Sequence, residues 1–256
     1  MRGLVSLLSA FRLFSRIPLP LGPWKPAHLR LAMAGLPLVG LVIGGAVWAW
    51  MAAGQALGAS AWLVALGPVA LPLLITGGIH FDGLMDVADA QASCTDAERR
   101  RAIMKDPHVG AFAVMAAGLY LIAQFALSAQ LVEMQAAGPL LCLAFVLSRC
   151  STALAVLFLP RAADTGMLAE QQRQAAAAAR PVAIVLSVAT AGATVVLHPL
   201  AGAALVAVTA ALLASLGPFS RRSFGGMTGD VAGFHLQATE LALMACLCAL
   251  GLGGLL

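Results

Sequence analysis

The chain has 256 residues, 61% of them hydrophobic and only 10% charged, with a mean hydropathy of +0.93. This composition excludes an ordinary soluble domain and places the chain among integral membrane proteins. The net charge of +4 comes with no nucleic-acid-binding motif, so nucleic acid is not an expected partner.

The first residues, MRGLVSLLSAFRLFSRIPLP, place a basic residue before an apolar stretch, but Arg12 and Arg16 interrupt it and no A-x-A pattern follows. They predict an interfacial amphipathic helix rather than a signal peptide. Crossing about 30 Å of hydrocarbon takes roughly 20 apolar residues. Seven segments qualify, near Leu31–Ala53, Ala61–Ile79, Ala111–Leu131, Gly138–Leu159, Pro181–Leu197, Leu200–Leu216 and Leu236–Leu256. The fifth and sixth are short and separated only by His198 and Pro199, so they predict a tight hairpin or a partly buried pair. Pro37, Pro68 and Pro72 predict kinks in the first two spans. The tract QQRQAAAAAR predicts a short helix between the fourth and fifth.

Fourteen of the fifteen basic residues fall in the N-terminal segment and in the loops after spans two, four and six, and the intervening loops hold none. Positive residues collect in the cytoplasm, so the N-terminus and every long polar loop are expected there. The remaining cation, Arg149, lies inside the fourth span. The five cysteines show no C-x-x-C or Cys/His ligand spacing and read as apolar packing. The expected fold is therefore all-α, a polytopic membrane bundle of about seven transmembrane helices with an N-terminal interfacial helix. It forms a single domain over residues 1–256.

The second span runs into GGIHFDGLMDVADA. On a helix Asp82, Asp86 and Asp89 stand at i, i+4 and i+7 and share one face. Three like charges at a membrane boundary repel, and a hard divalent cation such as Mg²⁺ relieves them while keeping a substrate phosphate in its shell. One acid alone would read as the wet end of a span; three on one face point to a site. His80 stands about opposite them and suits capping or packing as well as catalysis.

The same loop continues ERRRAIMKDPHVGAFAV. Arg99, Arg100 and Arg101 read as ordinary positive-inside charge. Lys105 suits an anionic phosphate and Asp106 a hydrogen bond or a metal shell, unless the two serve as a helix-end pair. In SRRSFGGMTGDVAGFHLQATE, Gly225, Gly226, Thr228, Gly229 and Asp230 form a loop able to approach a ligand and aim amides at anionic oxygen, or else a turn between spans. It lacks the Walker A ending. Arg149 and Glu240 are expected to face the bundle interior or its mouth, because lone charge in a span is costly. Carboxylates for a metal beside cations for phosphate point to phosphoryl or nucleotidyl chemistry at a membrane.

In their order along the chain, FRLFSRIPLP, GLPLVGLVIGG, GGIHFDGLMDVADA, ERRRAIMKDPHVGAF, LPRAADTGM after Arg149, and FGGMTGDVAGFHLQATEL resemble the cobalamin synthase family. Ala90, Pro107 and Gln237 depart from that family's usual pattern, and Gln237 puts an amide where an acid is common.

The resemblance implies a Mg²⁺-dependent enzyme that joins adenosylcobinamide-GDP to α-ribazole or its 5′-phosphate and releases GMP. For that reaction the aspartate face supplies Asp82, Asp86 and Asp89 as expected metal ligands, with Asp82 or Asp86 as the catalytic carboxylate that orients or deprotonates the attacking hydroxyl. His80, Lys105, Asp106, Arg149, Gly225, Gly226, Thr228, Gly229, Asp230 and Glu240 are implied as substrate-binding. The resemblance further implies a multi-pass protein of the bacterial cytoplasmic membrane, compatible with a homo-oligomer.

Two other readings meet the same residues less well. A CDP-alcohol phosphotransferase would show D-x-x-D-G-x-x-A-R, which is absent. An ion-coupled transporter would place its acids at the midplane in paired repeats.

Overall fold

Tight backbone turns at glycine and capping side chains divide the apolar runs of the described residues into ten helices. The computed structural model describes residues 2–23, 25–93, 95–134, 138–163, 170, 172–173, 175 and 177–256, and among these there is no strand. In chain order the helices are α1 (Arg2–Phe14), α2 (Leu36–Ala56), α3 (Ala61–Thr76), α4 (Ile79–Ala92) and α5 (Ala97–Ile103). They continue with α6 (Ala111–Met134), α7 (Gly138–Phe158), α8 (Ala179–Leu197), α9 (Pro199–Phe224) and α10 (Gly229–Leu252). Six are long and apolar enough to cross a membrane, and α3 with α4 make a seventh when taken as one bent span.

Several boundaries differ from those expected. Leu31 begins no long helix: short 3₁₀ turns precede α2, and Pro37 sits in its first turn, where a missing N–H costs nothing. The expected kink is therefore a helix start. The sixth span continues past Leu216 to Phe224, where Gly225 in the left-handed region (φ 77°) ends it. The seventh begins at Gly229 rather than Leu236, with the Thr228 side chain accepting from the Val231 N–H at 3.1 Å. Hydropathy missed this opening stretch because it carries Asp230 and His235, and His235 is polar yet buried. QQRQAAAAAR lies partly outside the described residues, as does LPRAADTGM, and Cys94 lies wholly outside them.

The second span breaks sharply. Between α3 and α4 the axis turns by 97°, at Gly77 and Gly78, both left-handed with φ of 68° and 79°. The prolines inside α3 do not end it. Pro68 has no N–H for the Val64 carbonyl four residues back, and Trp50 Nε1 of α2 donates there at 2.9 Å. Pro72 likewise leaves the Pro68 carbonyl free, and Gln124 Nε2 of α6 donates to it at 3.1 Å. Neighbouring helices thus restore what each proline removes.

Helix α7 is the buried axis of the bundle, with most of its residues inside. It packs chiefly on α2, where Gly40 and Gly44 bring the backbones together: a Cβ at either would lie within 2.6 Å of the Phe145 or Cys142 carbonyl oxygen. Such small residues four apart are how membrane helices gain close packing. The segments bearing the basic residues meet at one end of the bundle. There Arg16 donates its backbone N–H to Ile75 O at 2.7 Å, and Met227 pairs with Pro160 and Ala162.

Candidate active site

Helix α4 is held against α10 by two reciprocal glycines. A Cβ at Gly83 would lie 2.7 Å from the Asp230 carbonyl oxygen, and one at Gly233 would lie 2.9 Å from the His80 carbonyl oxygen. Only hydrogen fits at both places, so the two backbones touch and Asp230 is brought beside the aspartate stripe. The Asp86 carboxyl lies within electrostatic reach of Asp82, Asp230 and Asp89, and Asp230 within reach of Asp82. Asp82 is exposed, while Asp86 and Asp89 are half-buried. Asp86 therefore lies among three other carboxylates at the basic end.

They are not equivalent. The Asp89 carboxylate covers Gly110, where a Cβ would fall 2.0 Å from Oδ1. That seats it at the N-terminus of α6, whose helix dipole favours an anion.

The other residues expected at the site divide into those near this cluster and those engaged elsewhere. His80 is buried on the far side of α4, its ring stacked on Phe14 of α1 at 5.9 Å between centroids. Lys105 and Asp106 stand exposed on the turn between α5 and α6. Asp106 pairs with His108 rather than Lys105: its Oδ1 accepts from the His108 backbone N–H at 2.9 Å and meets Nδ1 at 2.6 Å. Those two bonds hold the carboxyl below its ordinary range.

In the glycine loop, the amides of Gly225, Gly226 and Met227 donate to Arg221, Ser220 and Pro160 carbonyls. Thr228 is the helix cap. In the first turn of α10 the Val231 N–H is taken by Thr228 and the Asp230 N–H meets its own carboxylate, so an amide contact with an anion falls on the exposed Gly229 rather than on Gly225 or Gly226.

Arg149 and Glu240 face inward as expected and form an ion pair, with both side chains at most 1% exposed. Arg149 Nη1 also donates to Phe145 O at 3.2 Å and to Ser148 Oγ at 3.0 Å. The pair joins α7 to α10 within the span. Gln237, one turn before Glu240, is buried with its Oε1 accepting from the Tyr120 hydroxyl. The amide thus belongs to a neutral pair with α6 and forms no second acidic cluster.

The profile of one protein family, described as cobalamin-5-phosphate synthase, matches residues 6–248. The chain belongs to the cobalamin-5-phosphate synthase family. It is 34% identical over 244 residues to a protein of Lachnoclostridium phytofermentans, covering 94% of this chain and 92% of that one. It is 35% identical over 247 residues to one of Pseudomonas aeruginosa strain PAO1, covering 96% and 98%, and 32% identical over 245 residues to one of Geobacillus kaustophilus, covering 92% of each. All three relatives are named adenosylcobinamide-GDP ribazoletransferase. No solved structure matches the chain. Membership makes the chain a transferase and sets aside both the CDP-alcohol and the transporter readings.

For a member of this family the donor chemistry of the cluster can be tested against a metal. Carboxylate oxygens alone suit a hard cation of the Mg²⁺ kind rather than zinc or copper. Among the described residues no three His, Cys, Asp or Glu side chains close on one point, so this is no all-protein cage. Mg²⁺ asks for less, one or two carboxylates with water and substrate phosphate completing its octahedron, and Asp86 with Asp230 or Asp82 beside it fits that demand.

Sequence reasoning singled out the stripe but not the glycines that assemble it. Gly83 and Gly233 lie inside helices, where glycine usually costs stability. An unexplained interior glycine was the available signal. Arg101, taken as topology charge, also proves to have a specific partner: its Nη1 donates to Phe224 O at 2.6 Å.

Proposed function

We propose that the chain joins adenosylcobinamide-GDP to α-ribazole or α-ribazole 5′-phosphate, giving adenosylcobalamin or its 5′-phosphate and releasing GMP. The observation that carries this reading is the convergence of Asp82 and Asp86 with Asp230 at the Gly83 contact, in a chain matched by one family over nearly its whole length.

In the reaction, a ribose hydroxyl of α-ribazole attacks the phosphorus bound to the cobinamide arm. A new P–O bond forms, the P–O bond to the GMP phosphate breaks, and the hydroxyl proton passes to a carboxylate. Asp82, exposed at the lip of the cluster, is the base in this reading, with Asp86 as the alternative. Asp86 and Asp230 would hold a Mg²⁺ ion with water and substrate phosphate, and Asp89, on the same helix as Asp86, would support them from its seat at the start of α6. When bound, Mg²⁺ offsets the charge developing on the transferring and departing phosphates.

The first turn of α10 orients the diphosphate through the Gly229 amide, and exposed Lys105, on the turn between α5 and α6, meets phosphate from solvent. Arg149 and Glu240 act through the packing of α7 on α10. The protein sits as a multi-pass protein in the cytoplasmic membrane, with its N-terminus and the aspartate end in the cytoplasm, which the placement of basic residues supports.

The test is to incubate the purified protein in liposomes with adenosylcobinamide-GDP, α-ribazole and Mg²⁺. GMP and the joined corrinoid should appear together and stop on chelation. Absence of GMP, where a relative works under the same conditions, refutes the reading.

A further inference from the structure

Helix α9 ends under a grip from the limb that carries the aspartates. Gln91, at the end of α4, donates from Nε2 to Ser223 Oγ at 3.0 Å. Arg101, in the last turn of α5, donates from Nη1 to the next residue's carbonyl, Phe224 O, at 2.6 Å. The same Nη1 lies 2.8 Å from where a Cβ at Gly225 would stand, so the guanidinium rests on the left-handed residue that ends the helix. A cation there also meets the negative end of the α9 dipole. The turn is also held by the backbone of Pro160 to Ala162, through Met227 N–H to Pro160 O at 2.8 Å and Ala162 N–H to Met227 O at 2.9 Å.

This turn has one exit, through the Thr228 cap into α10, and Asp230 is the second residue of that helix. The limb that grips it, α4 followed by α5, carries Asp82 and Asp86. Arg101 therefore ties the element bearing two carboxylates to the turn that delivers the third. A charge placed only for topology would need no single carbonyl; the short bond and the glycine beneath it give this arginine a fixed seat, and bonds from charged donors are among the stronger ones.

We propose that Arg101 is a positioning residue that sets the Asp230 carboxyl against Asp82 and Asp86, by clamping the α9–α10 turn to the α4–α5 limb. The proposal rests on the reading of these aspartates as a cation and phosphate site.

The test uses the full chain in liposomes, as wild type, Arg101→Ala and Arg101→Lys. Amide exchange in the turn, binding of Mn²⁺ followed by its EPR signal as a stand-in for Mg²⁺, and steady-state release of GMP are measured on each. With the charged bond gone, exchange at Gly225 to Val231 should speed up about tenfold. Mn²⁺ should bind several-fold more weakly, and kcat should fall about tenfold or more with KM for α-ribazole nearly unchanged. Arg101→Lys should recover most of each loss, since an ammonium still donates to a carbonyl.

Unchanged exchange in Arg101→Ala overturns the clamp. Faster exchange with wild-type Mn²⁺ binding and kcat overturns the positioning role and leaves Arg101 a helix cap. Unchanged exchange with a raised KM for adenosylcobinamide-GDP makes it a phosphate contact instead. A wild-type protein that binds no Mn²⁺ overturns the cation reading and the positioning role together, whereas a wild type that binds it and an Ala variant that binds it equally well overturn the positioning role alone.

Discussion

Gly83 of α4 presses against Asp230 of α10 so closely that a Cβ on the glycine would lie 2.7 Å from the carbonyl oxygen and 3.0 Å from the Cα of the aspartate. Both neighbouring atoms are backbone, so neither can swing aside. Gly83→Ala gains roughly 1 kcal/mol of helix propensity in isolation, yet here it must push α10 away and take Asp230 out of the cluster. The expected outcome is a folded protein whose GMP release falls about tenfold or more, because catalytic geometry tolerates shifts of only a fraction of an ångström. Wild-type turnover in Gly83→Ala, measured on protein of unchanged melting temperature, would show that the contact does not set the site.

The aspartates should separate by environment rather than by position in the motif. Asp82→Asn and Asp86→Asn each remove a charge that faces the other carboxylates, and kcat should drop by about two orders of magnitude, the scale for a lost catalytic or metal-binding group. Asp230→Asn should behave like them, though it lies nearly 150 residues away in sequence. Asp89→Asn should cost much less, since its carboxylate sits on Gly110 at the start of α6. Turnover of the four variants under saturating Mg²⁺ tests the ranking; an Asp89 variant as dead as the Asp82 variant would place all three stripe residues in one shell.

The stripe was legible because a period of 3.6 residues turns spacing into a shared face. The long apolar helices were legible because hydropathy is a property of runs of residues. Asp230 was visible only as part of a glycine loop, since the Gly83 contact that makes it the fourth carboxylate is tertiary and leaves a single glycine as its trace. Arg101 looked like its neighbours Arg99 and Arg100, and nothing in a run of three arginines says which one meets a carbonyl. The 97° break was hidden for a related reason: Pro68 and Pro72 were the conspicuous breakers, while the turn itself falls at Gly77 and Gly78.

Arg149 and Glu240 pair inside the membrane span with at most 1% of either side chain exposed, so removing one leaves an uncompensated buried charge. Glu240→Ala should destabilise the folded protein by about 3–5 kcal/mol, whereas replacing both partners by methionine should recover much of that loss. Thermal unfolding in detergent of the two single variants and the double variant measures the difference. A double variant no more stable than either single one would mean that the pair does more than neutralise itself.

The two prolines of α3 make a sharper test, because each rescuing side chain has one job. Gln124 supplies the donor that Pro72 withholds from the Pro68 carbonyl. Gln124→Leu should therefore leave that buried carbonyl bare and cost about 1–2 kcal/mol. Pro72→Ala restores a backbone N–H four residues on, so Gln124→Leu made on that background should cost far less. Trp50 and Pro68 form the matching pair at the Val64 carbonyl, where Trp50 Nε1 donates at 2.9 Å. Trp50→Phe should be milder on a Pro68→Ala background than alone. The measurement is a double-mutant cycle on unfolding midpoints for each pair. Strict additivity in both cycles would break the link between these prolines and the side chains that serve them, and α3 would then owe its continuity to packing alone.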